Sequence, residues 1–354
     1  PDLKPALARQ FGISQSGVVI LERGDKQIQL NSYIYGEQEL TSGLLKASRD
    51  EQKVVYFVVG HKEHDPRSTE PDGLSGIAAG LERNNYRVES LNLSTITDTV
   101  PADAAALIVA TSHISFTEKE RNHFIDYLYN GGRVLITFDP GVNVVDRYIM
   151  SDWGLRVHNN LVVDPQNAFF GDVTMPVVTR YPSHPITRDL KGAATIFPYA
   201  RGLEIIQPPP PNIKPQPIVQ TGEESWGETQ VSRDLKVIYD EGQDLPGPVV
   251  IGVAIEETMR AGRMVAFGDS DFATNGTLDT VGRNLGNADL FLNADNRLTE
   301  EQELNAISHK KEVNRQIILT RPQMRLILYS SVIVLPLAIL ALGAATWWTK
   351  RQAR

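Results

Sequence analysis

The carboxyl-terminal segment "LILYSSVIVLPLAILALGAATWW", residues 326–348, constrains this chain more than any other feature. It holds 23 consecutive residues without a charged side chain. A helix of this length measures roughly 34 Å, which exceeds the 30 Å or so of hydrocarbon in a bilayer. Soluble core helices are rarely so long and so uniformly apolar. The sequence therefore predicts one transmembrane helix over residues 326–348.

The residues in and around this segment predict how it lies in the membrane. Pro336 is expected to kink the helix, because proline lacks the amide N–H that a helix interior uses. Tryptophan favours the membrane interface, and cytoplasmic flanks are enriched in Lys and Arg. The basic tail 349–354 is therefore predicted to be cytoplasmic, although Arg321 and Arg325 on the other flank leave the inverted orientation open. The predicted anchoring residues are Leu326, Pro336, Trp347, Trp348, Lys350 and Arg351.

Charge and missing residue types exclude several classes of function. The formal net charge is −8, and every charged residue after position 320 is basic, so the remainder is more acidic than the whole. Such a surface repels phosphate backbones, which argues against nucleic acid as a partner. With no cysteine, the chain has no thiolate nucleophile and no cysteine-ligated zinc site. It also contains neither a G-x-x-x-x-G-K-[ST] loop, so it cannot hold a nucleotide phosphate in a P-loop, nor a G-x-S-x-G nucleophile elbow.

Residues 51–300 show apolar strands that alternate with amphipathic helices. The strands "KVVYFVVGH", "AALIVATS" and "RVLITFD" are separated by segments with helical periodicity. This alternation predicts an α/β domain with a doubly wound, mostly parallel sheet covered on both faces. The later strands "PVVIGVAIEE" and "RMVAFGD" are predicted to form an antiparallel pair.

The flanking regions are simpler. Residues 1–50 predict helices at 3–10 and 37–48, with a hairpin turn at Arg23, Gly24 and Asp25 between them. The proline-rich run "QPPPPNIKPQP" predicts a stiff surface connection, with recruitment of a partner domain as the alternative. Residues 301–325 are predicted to link the domain to the membrane helix.

Candidate site residues follow the predicted strands, where α/β sheets place their binding sites. The loop "GHKEHD" contains His61, Glu63, His64 and Asp65, which either coordinate a divalent metal or form a solvated polar loop. Asp139 ends the strand "RVLITFD", and "GDSD" supplies Asp269 and Asp271. We expect four side chains to form a pocket for a small polar ligand, without a metal or cofactor. They are His61, Asp139, Asp269 and Asp271.

The "GDSD" stretch has competing interpretations. It resembles the opening aspartates of haloacid-dehalogenase phosphatases, but too few residues follow for the remaining parts of that site. It does not fit an EF-hand, because Ala273 and Thr274 replace a ligand and the turn glycine. We therefore favour a structural role in which Asp269 or Asp271 caps the following turn.

Several segments, taken in order, carry a resemblance to a known family. They are "GEQELTSGLLKAS", "VVYFVVGHKEHD", "NGGRVLITFDPG", "HPIT", "VAFGDSDFATN" and "GNADLFLN", followed by the apolar helix and its basic tail. Together they resemble the GldG-like auxiliary components of gliding-motility-type ABC transporters. The resemblance covers nearly the whole chain. It implies a glutamine amidotransferase-like or flavodoxin-like fold, an extracytoplasmic domain, and a permease and an ATPase as partners. It also implies that residues 1–50 end an upstream thioredoxin-like region. Arg297 stands where relatives commonly have an aromatic residue.

These observations predict a membrane-anchored, non-enzymatic auxiliary subunit that binds a substrate or partner outside the cytoplasmic membrane and docks on a permease. Two alternatives stay open. One is a membrane-tethered, metal-dependent hydrolase or phosphatase that uses Asp269, Asp271 and His61. The other is a scaffold that organises envelope proteins through its acidic face.

Overall fold

A nine-stranded mixed sheet forms the centre of the protein in a computed structural model. The structure describes residues 19–24, 26–30, 40, 43–44, 52–97, 99–142, 147–190, 192–230, 237–281, 285–299 and 326–352. The strands are β1 (Val19–Arg23), β2 (Lys26–Leu30), β3 (Val54–Val58), β4 (Arg87–Leu91), β5 (Ala104–Ala110), β6 (Arg133–Thr137), β7 (Leu155–Val157), β8 (Leu161–Val163), β9 (Ala168–Phe169), β10 (Asp172–Val178), β11 (Thr195–Ile196), β12 (Leu203–Ile205), β13 (Ile213–Gln220), β14 (Trp226–Glu228), β15 (Leu245–Pro246), β16 (Val250–Glu257) and β17 (Arg263–Phe267). The helices are α1 (Ser75–Arg83), α2 (Glu118–Tyr129), α3 (Arg147–Asp152), α4 (Asn275–Val281), α5 (Asn287–Leu298) and α6 (Leu335–Gln352), with short 3-10 turns at Leu93–Thr95, Arg188–Leu190 and Asp271–Ala273.

The order of the main sheet is β4-β3-β5-β6-β17-β16-β12-β7, with β13 also paired to β16. The strands β4, β3, β5, β6 and β17 are mutually parallel. β16 runs antiparallel to β17, which confirms the predicted antiparallel pair. The mixed α/β class with a parallel centre is confirmed. We call the edge where β3, β5, β6 and β17 end the carboxyl edge, and the edge where they begin the amino edge.

Both faces of the parallel strands are buried, as their continuous apolar runs predict. Successive side chains of a strand point to opposite faces, so Ile108 joins the apolar cluster around α1 and α5, while Leu107 joins the cluster around α2. Phe124 of α2 and Phe291 of α5 are fully buried in these two clusters. This alternation explains why helices cover both sides of the sheet.

The proline-rich run is a strand for part of its length, which corrects the predicted surface connection. β13 pairs with β16 in antiparallel register, from Ile213 opposite Glu257 to Gln220 opposite Val250. Pro215 and Pro217 lie within it. Proline is tolerated there because, among the described strands, β13 pairs with β16 alone, so a missing N–H on the outer side breaks no ladder bond.

The amino-terminal hairpin is confirmed. Arg23 pairs with Lys26, and Gly24, which follows Arg23, has φ +58°. Glycine adopts this left-handed conformation without steric cost. The predicted helix 3–10, most of the predicted helix 37–48 and the linker 301–325 lie outside the described residues.

The carboxyl-terminal segment forms a helix from Leu326 onwards. Its first 19 residues have a mean hydropathy of 2.4, none of them is buried, and the length suffices to cross a membrane. A π turn at Ser330–Val334 precedes Pro336, and the Ser331 hydroxyl donates to the Ile327 carbonyl at 2.7 Å. Because Pro336 offers no N–H, a local change of helical pitch before it is expected.

Candidate functional site

The carboxyl edge brings together four segments that are distant in sequence. Residues 61–65 follow β3, residues 111–114 follow β5, residues 138–141 follow β6 and residues 268–271 follow β17. Because these strands are parallel neighbours, their ends meet at one edge. The predicted convergence of Asp139 with Asp269 and Asp271 is therefore realised in the fold.

Asp139 binds Ser270 through both of its carboxylate oxygens. Its Oδ1 accepts from the Ser270 N–H at 2.7 Å, and its Oδ2 accepts from the Ser270 hydroxyl at 2.6 Å. His64 Nε2 lies 2.8 Å from Ser270 Oγ. Since the serine proton points to Asp139, the His64 Nε2–H is the donor to Ser270. These bonds join the loops after β3, β6 and β17.

Asp269 is fully buried beside this cluster. Its Oδ1 accepts from the Asp271 N–H at 2.8 Å, so the predicted capping role belongs to Asp269. Its Oδ2 has no hydrogen-bond partner within the part of the chain that the structure describes. Burial, followed by the nearby charges of Asp139 and Asp271, raises the pKa of Asp269 well above its usual range, against the opposing effect of backbone N–H bonds from Asp271 and Phe272.

Asp271 is the more accessible acid of the pair, with a side chain 43% exposed. Its Oδ1 lies 4.0 Å from His64 Nε2. Partial burial and the Asp139 charge raise the pKa of Asp271, while His64 and His113 act in the opposite direction. The two histidines only partly offset the effects of burial and of the Asp139 charge.

Arg201 is a buried member of this edge that the sequence analysis missed. Its Nη1 donates to the carbonyls of Asp139 at 2.9 Å and Val142 at 2.7 Å, and its Nε donates to the His158 carbonyl. Burial lowers the pKa of Arg201 to about 10, although Asp139 acts to raise it. Its guanidinium holds the backbone that carries Asp139. No sequence pattern marks it, because these carbonyl partners are backbone groups, which every residue carries.

His61 does not join the aspartates, which corrects the predicted four-residue pocket. Its Nδ1 lies 3.3 Å from Glu63 Oε1 and its Nε2 lies 3.1 Å from Glu120 Oε1. The Phe116 ring packs edge-on against the imidazole at 4.9 Å. His61 therefore faces the start of α2, whereas His64 occupies the position beside the aspartates that was predicted for His61.

Glu120 links this histidine to a helix cap. Its Oε2 accepts from the Thr117 N–H and hydroxyl, both at 2.7 Å, and the Thr117 hydroxyl accepts in return from the Glu120 N–H. This reciprocal capping box satisfies amide groups at the start of α2. Burial acts to raise the pKa of Glu120, but the bonds from Thr117, and then His61, outweigh it and leave the pKa lowered.

Most of the polar groups at the carboxyl edge bind one another. Among the described residues, no three His, Asp or Glu side chains are arranged to hold a metal ion. Ser270 is buried, and its hydroxyl proton is engaged by Asp139. Asp269 is fully buried, so the acid that can contact an external group is the partly exposed Asp271, whose carboxylate suits a group that donates hydrogen bonds.

The chain matches a family model at residues 52–294, described as an ABC-type uncharacterized transport system, ABC_transp_aux. It belongs to this family of transport-system auxiliary proteins. The match includes the whole carboxyl edge and confirms the resemblance to ABC transporter auxiliary components at the level of this family. The family indicates an auxiliary component of an ABC transport system, associated with transporter components.

Solved structures add similarity of fold. The N-terminal domain of mmIFT52 is 16% identical to the auxiliary protein, with a TM-score of 0.52 over 69% of this chain and 97% of that chain. A putative ThuA-like protein from Bacteroides uniformis ATCC 8492 is 14% identical, with a TM-score of 0.41 over 71% of this chain and 93% of that one. An exo-β-1,4-mannosidase from Opitutaceae bacterium strain TAV5 is 9% identical, with a TM-score of 0.36 over 74% and 37% of the two chains. No curated protein matches the chain.

Proposed function

We propose that this chain is a membrane-anchored, non-enzymatic auxiliary subunit of an ABC transporter of the GldG-like type. The observation that carries the proposal is the family match over residues 52–294 in the same chain as an unburied apolar helix at Leu326–Ala344. That helix anchors the protein and docks on the permease. The domain at residues 51–300 lies outside the cytoplasmic membrane, and the basic tail 349–354 lies in the cytoplasm.

Two features support a role without catalysis. The Ser270 hydroxyl, which lies among Asp139, Asp269 and Asp271, donates its proton to Asp139, and Asp139 is held by its two bonds from Ser270. The sequence also lacks a P-loop, so transport is driven by the ATPase of a partner subunit. The chain then contributes binding and positioning.

The carboxyl edge is the proposed recognition site for a small polar ligand. Asp271 favours this role, because its partly exposed carboxylate lies beside the buried Asp269 and accepts hydrogen bonds. A ligand with amine, amide or hydroxyl donors fits such a site.

Co-purification tests the proposed function. The full tagged chain, expressed with its candidate permease and ATPase, is solubilised in a mild detergent and captured. We expect both subunits to be recovered with it, and neither with a variant truncated before residue 326. Recovery of the chain alone, or in the aqueous fraction without detergent, would contradict the proposal. Salt-sensitive capture of a basic envelope protein instead would support the scaffold alternative.

A further inference from the structure

The two covalent connections of the domain lie together at the amino edge. Lys53, one residue before β3, donates from Nζ to the Thr299 carbonyl after α5 at 2.7 Å. Arg263, the first residue of β17, donates from Nη1 to the Arg297 and Leu298 carbonyls at 3.2 and 3.4 Å. The segment that leads to the apolar helix thus leaves the domain from the amino edge.

This connectivity gives the domain a polarity. The amino edge is the edge from which the chain continues towards the apolar helix, and the carboxyl edge with Asp269 and Asp271 lies at the other ends of the same strands. Two cavities open at the amino edge, on either side of the turn between α2 and β6. The larger, about 280 Å³, is lined in part by His123, Tyr127 and Arg133.

The second cavity, which we call the amino-edge cleft, has a volume of about 190 Å³. Its walls are mostly apolar. Trp153 and Ile213 are buried in it, and Tyr129 and Met259 are exposed at its rim. A cavity of about 150 Å³ is large enough for benzene, so this cleft admits one large apolar side chain.

The rim residue Met259 is exposed because its turn is held in place. Glu257 accepts from the Met259 N–H at 2.8 Å and from the Arg260 N–H at 2.7 Å. Arg260 Nη1 donates to the Tyr129 carbonyl at 2.9 Å, and Tyr129 donates its hydroxyl to Asp152 at 3.0 Å. With its backbone fixed in this way, the Met259 side chain is 75% exposed. Methionine adapts its shape to a bound apolar group.

We propose that the amino-edge cleft receives an apolar side chain from the permease, in the part of that protein that emerges from the membrane beside the anchor. The inference rests on the proposed function, since it assigns the surface through which the auxiliary subunit meets its transporter. A bilayer surface is the poorer occupant, because moving the charged rim residues Asp152, Glu257 and Arg260 into an apolar phase is costly. Small apolar pockets ringed by polar groups are where protein interfaces concentrate binding energy.

Site-specific photocrosslinking in the full chain, in membranes that contain the transporter, tests the proposal. A benzophenone amino acid replaces Met259 or, as the control at the carboxyl edge, Ile114, whose side chain is 47% exposed. We expect a permease adduct from position 259 at least five times as abundant as from position 114. Equal or stronger crosslinking from position 114, adducts with lipid alone, or no adduct from position 259 would overturn the inference.

A charge substitution gives a second readout. Met259→Glu should lower the permease recovered with the chain at least tenfold, and Ile114→Glu should not, while both variants keep the wild-type melting temperature. If the wild-type chain brings down the permease and Met259→Glu does so equally well, the cleft inference fails and the proposed function stands. If the wild-type chain recovers no permease, the proposed function itself fails.

Discussion

Asp139 and Ser270 are 131 positions apart in the chain, yet one carboxylate accepts both the amide N–H and the hydroxyl of that serine. The pair joins the end of β6 to the end of β17 and sets the position of the "GDSD" turn. Bonds from polar groups to a carboxylate are stronger than neutral ones. This contact therefore contributes to stability as well as to the shape of the carboxyl edge.

Replacing Asp139 should destabilise the fold. Asp139→Ala leaves the Ser270 N–H and hydroxyl without their acceptor, which should cost roughly 2–4 kcal/mol of unfolding free energy. Urea unfolding of the full chain in detergent measures this loss of unfolding free energy. Asp103→Ala is the control, because this half-exposed acid pairs with Arg87 at the surface, where ion pairs contribute about 0–1 kcal/mol. Equal effects of the two substitutions would contradict the assigned role of Asp139.

Asp269 should make the protein less stable as the pH rises. Its pKa is higher in the fold than in the unfolded chain, so the folded chain holds the proton longer. Stability is then highest below the ordinary aspartate range and falls as the pH rises through the raised pKa. Asp269→Asn keeps the acceptor for the Asp271 N–H and should remove this fall, gaining on the order of 1–3 kcal/mol at pH 8. If the free energy of unfolding changes equally between pH 4.5 and 8 for the variant and the wild type, this prediction is wrong.

The capping box at the start of α2 should make the protein more stable as the pH rises, the opposite of the effect of Asp269. The pKa of Glu120 is lowered in the fold, so its contribution is present at neutral pH and is lost as the pH falls through that lowered pKa. Thr117→Ala removes hydrogen bonds that cause the shift and should cost about 1 kcal/mol at pH 7. The variant should also lose less stability on acidification than wild type. Thr95→Ala, at an exposed 3-10 turn, is the matched control.

Alanine substitutions at two glycines distinguish the cost of backbone strain from the cost of a steric clash. Gly131 and Gly242 have φ of +84° and +83°, so alanine is equally strained at both positions. A Cβ on Gly131 would lie 2.4 Å from the Arg260 carbonyl oxygen, whereas nothing lies within 4 Å at Gly242. Gly131→Ala should therefore lower the free energy of unfolding by roughly 1–3 kcal/mol more than Gly242→Ala. Matching losses would show that the turn of Met259 does not pack against Gly131.

A charge in the carboxyl-terminal helix should weaken membrane retention. Leu340→Arg places a guanidinium near the middle of the apolar segment, at a cost of about 2.5–3.5 kcal/mol for insertion. The fraction of protein resistant to alkaline carbonate extraction should fall, whereas Leu340→Phe should leave it unchanged. Full retention of the arginine variant would show that this helix is not the anchor.

Local sequence patterns predicted the elements of the domain well, because burial on both faces imposes a continuous apolar run on each parallel strand. β3, β5, β6 and the β16–β17 pair were all predicted from such runs. Between residues 143 and 248 the sequence patterns predicted only the proline-rich connection, yet this segment contains two three-stranded sheets. Its strands are short, and the prolines of β13 hide the pairing that an edge position permits.

The site was predicted in part. The convergence of Asp139, Asp269 and Asp271 follows from the order of parallel strands, which places their ends at one edge. The order of the strands does not determine which histidine joins the aspartates, since His61 and His64 lie in the same loop. Only packing turns His61 towards Glu120 and His64 towards Ser270. Arg201 was missed because a guanidinium that binds carbonyl groups leaves no pattern in the sequence.

By itself, the amino-acid sequence determined the α/β class, the apolar helix at residues 326–348 and the absence of thiol and P-loop chemistry, since these depend on composition and on periodicity within short segments. Only the tertiary structure decided which side chains meet, because those contacts join residues far apart in the chain, by 62 positions for Arg201 and Asp139 and by 206 for His64 and Ser270. It also decided that the domain is tethered at its amino edge, with the acidic cluster at the opposite end. That polarity follows from the direction of the strands and from where α5 ends, which no local pattern contains.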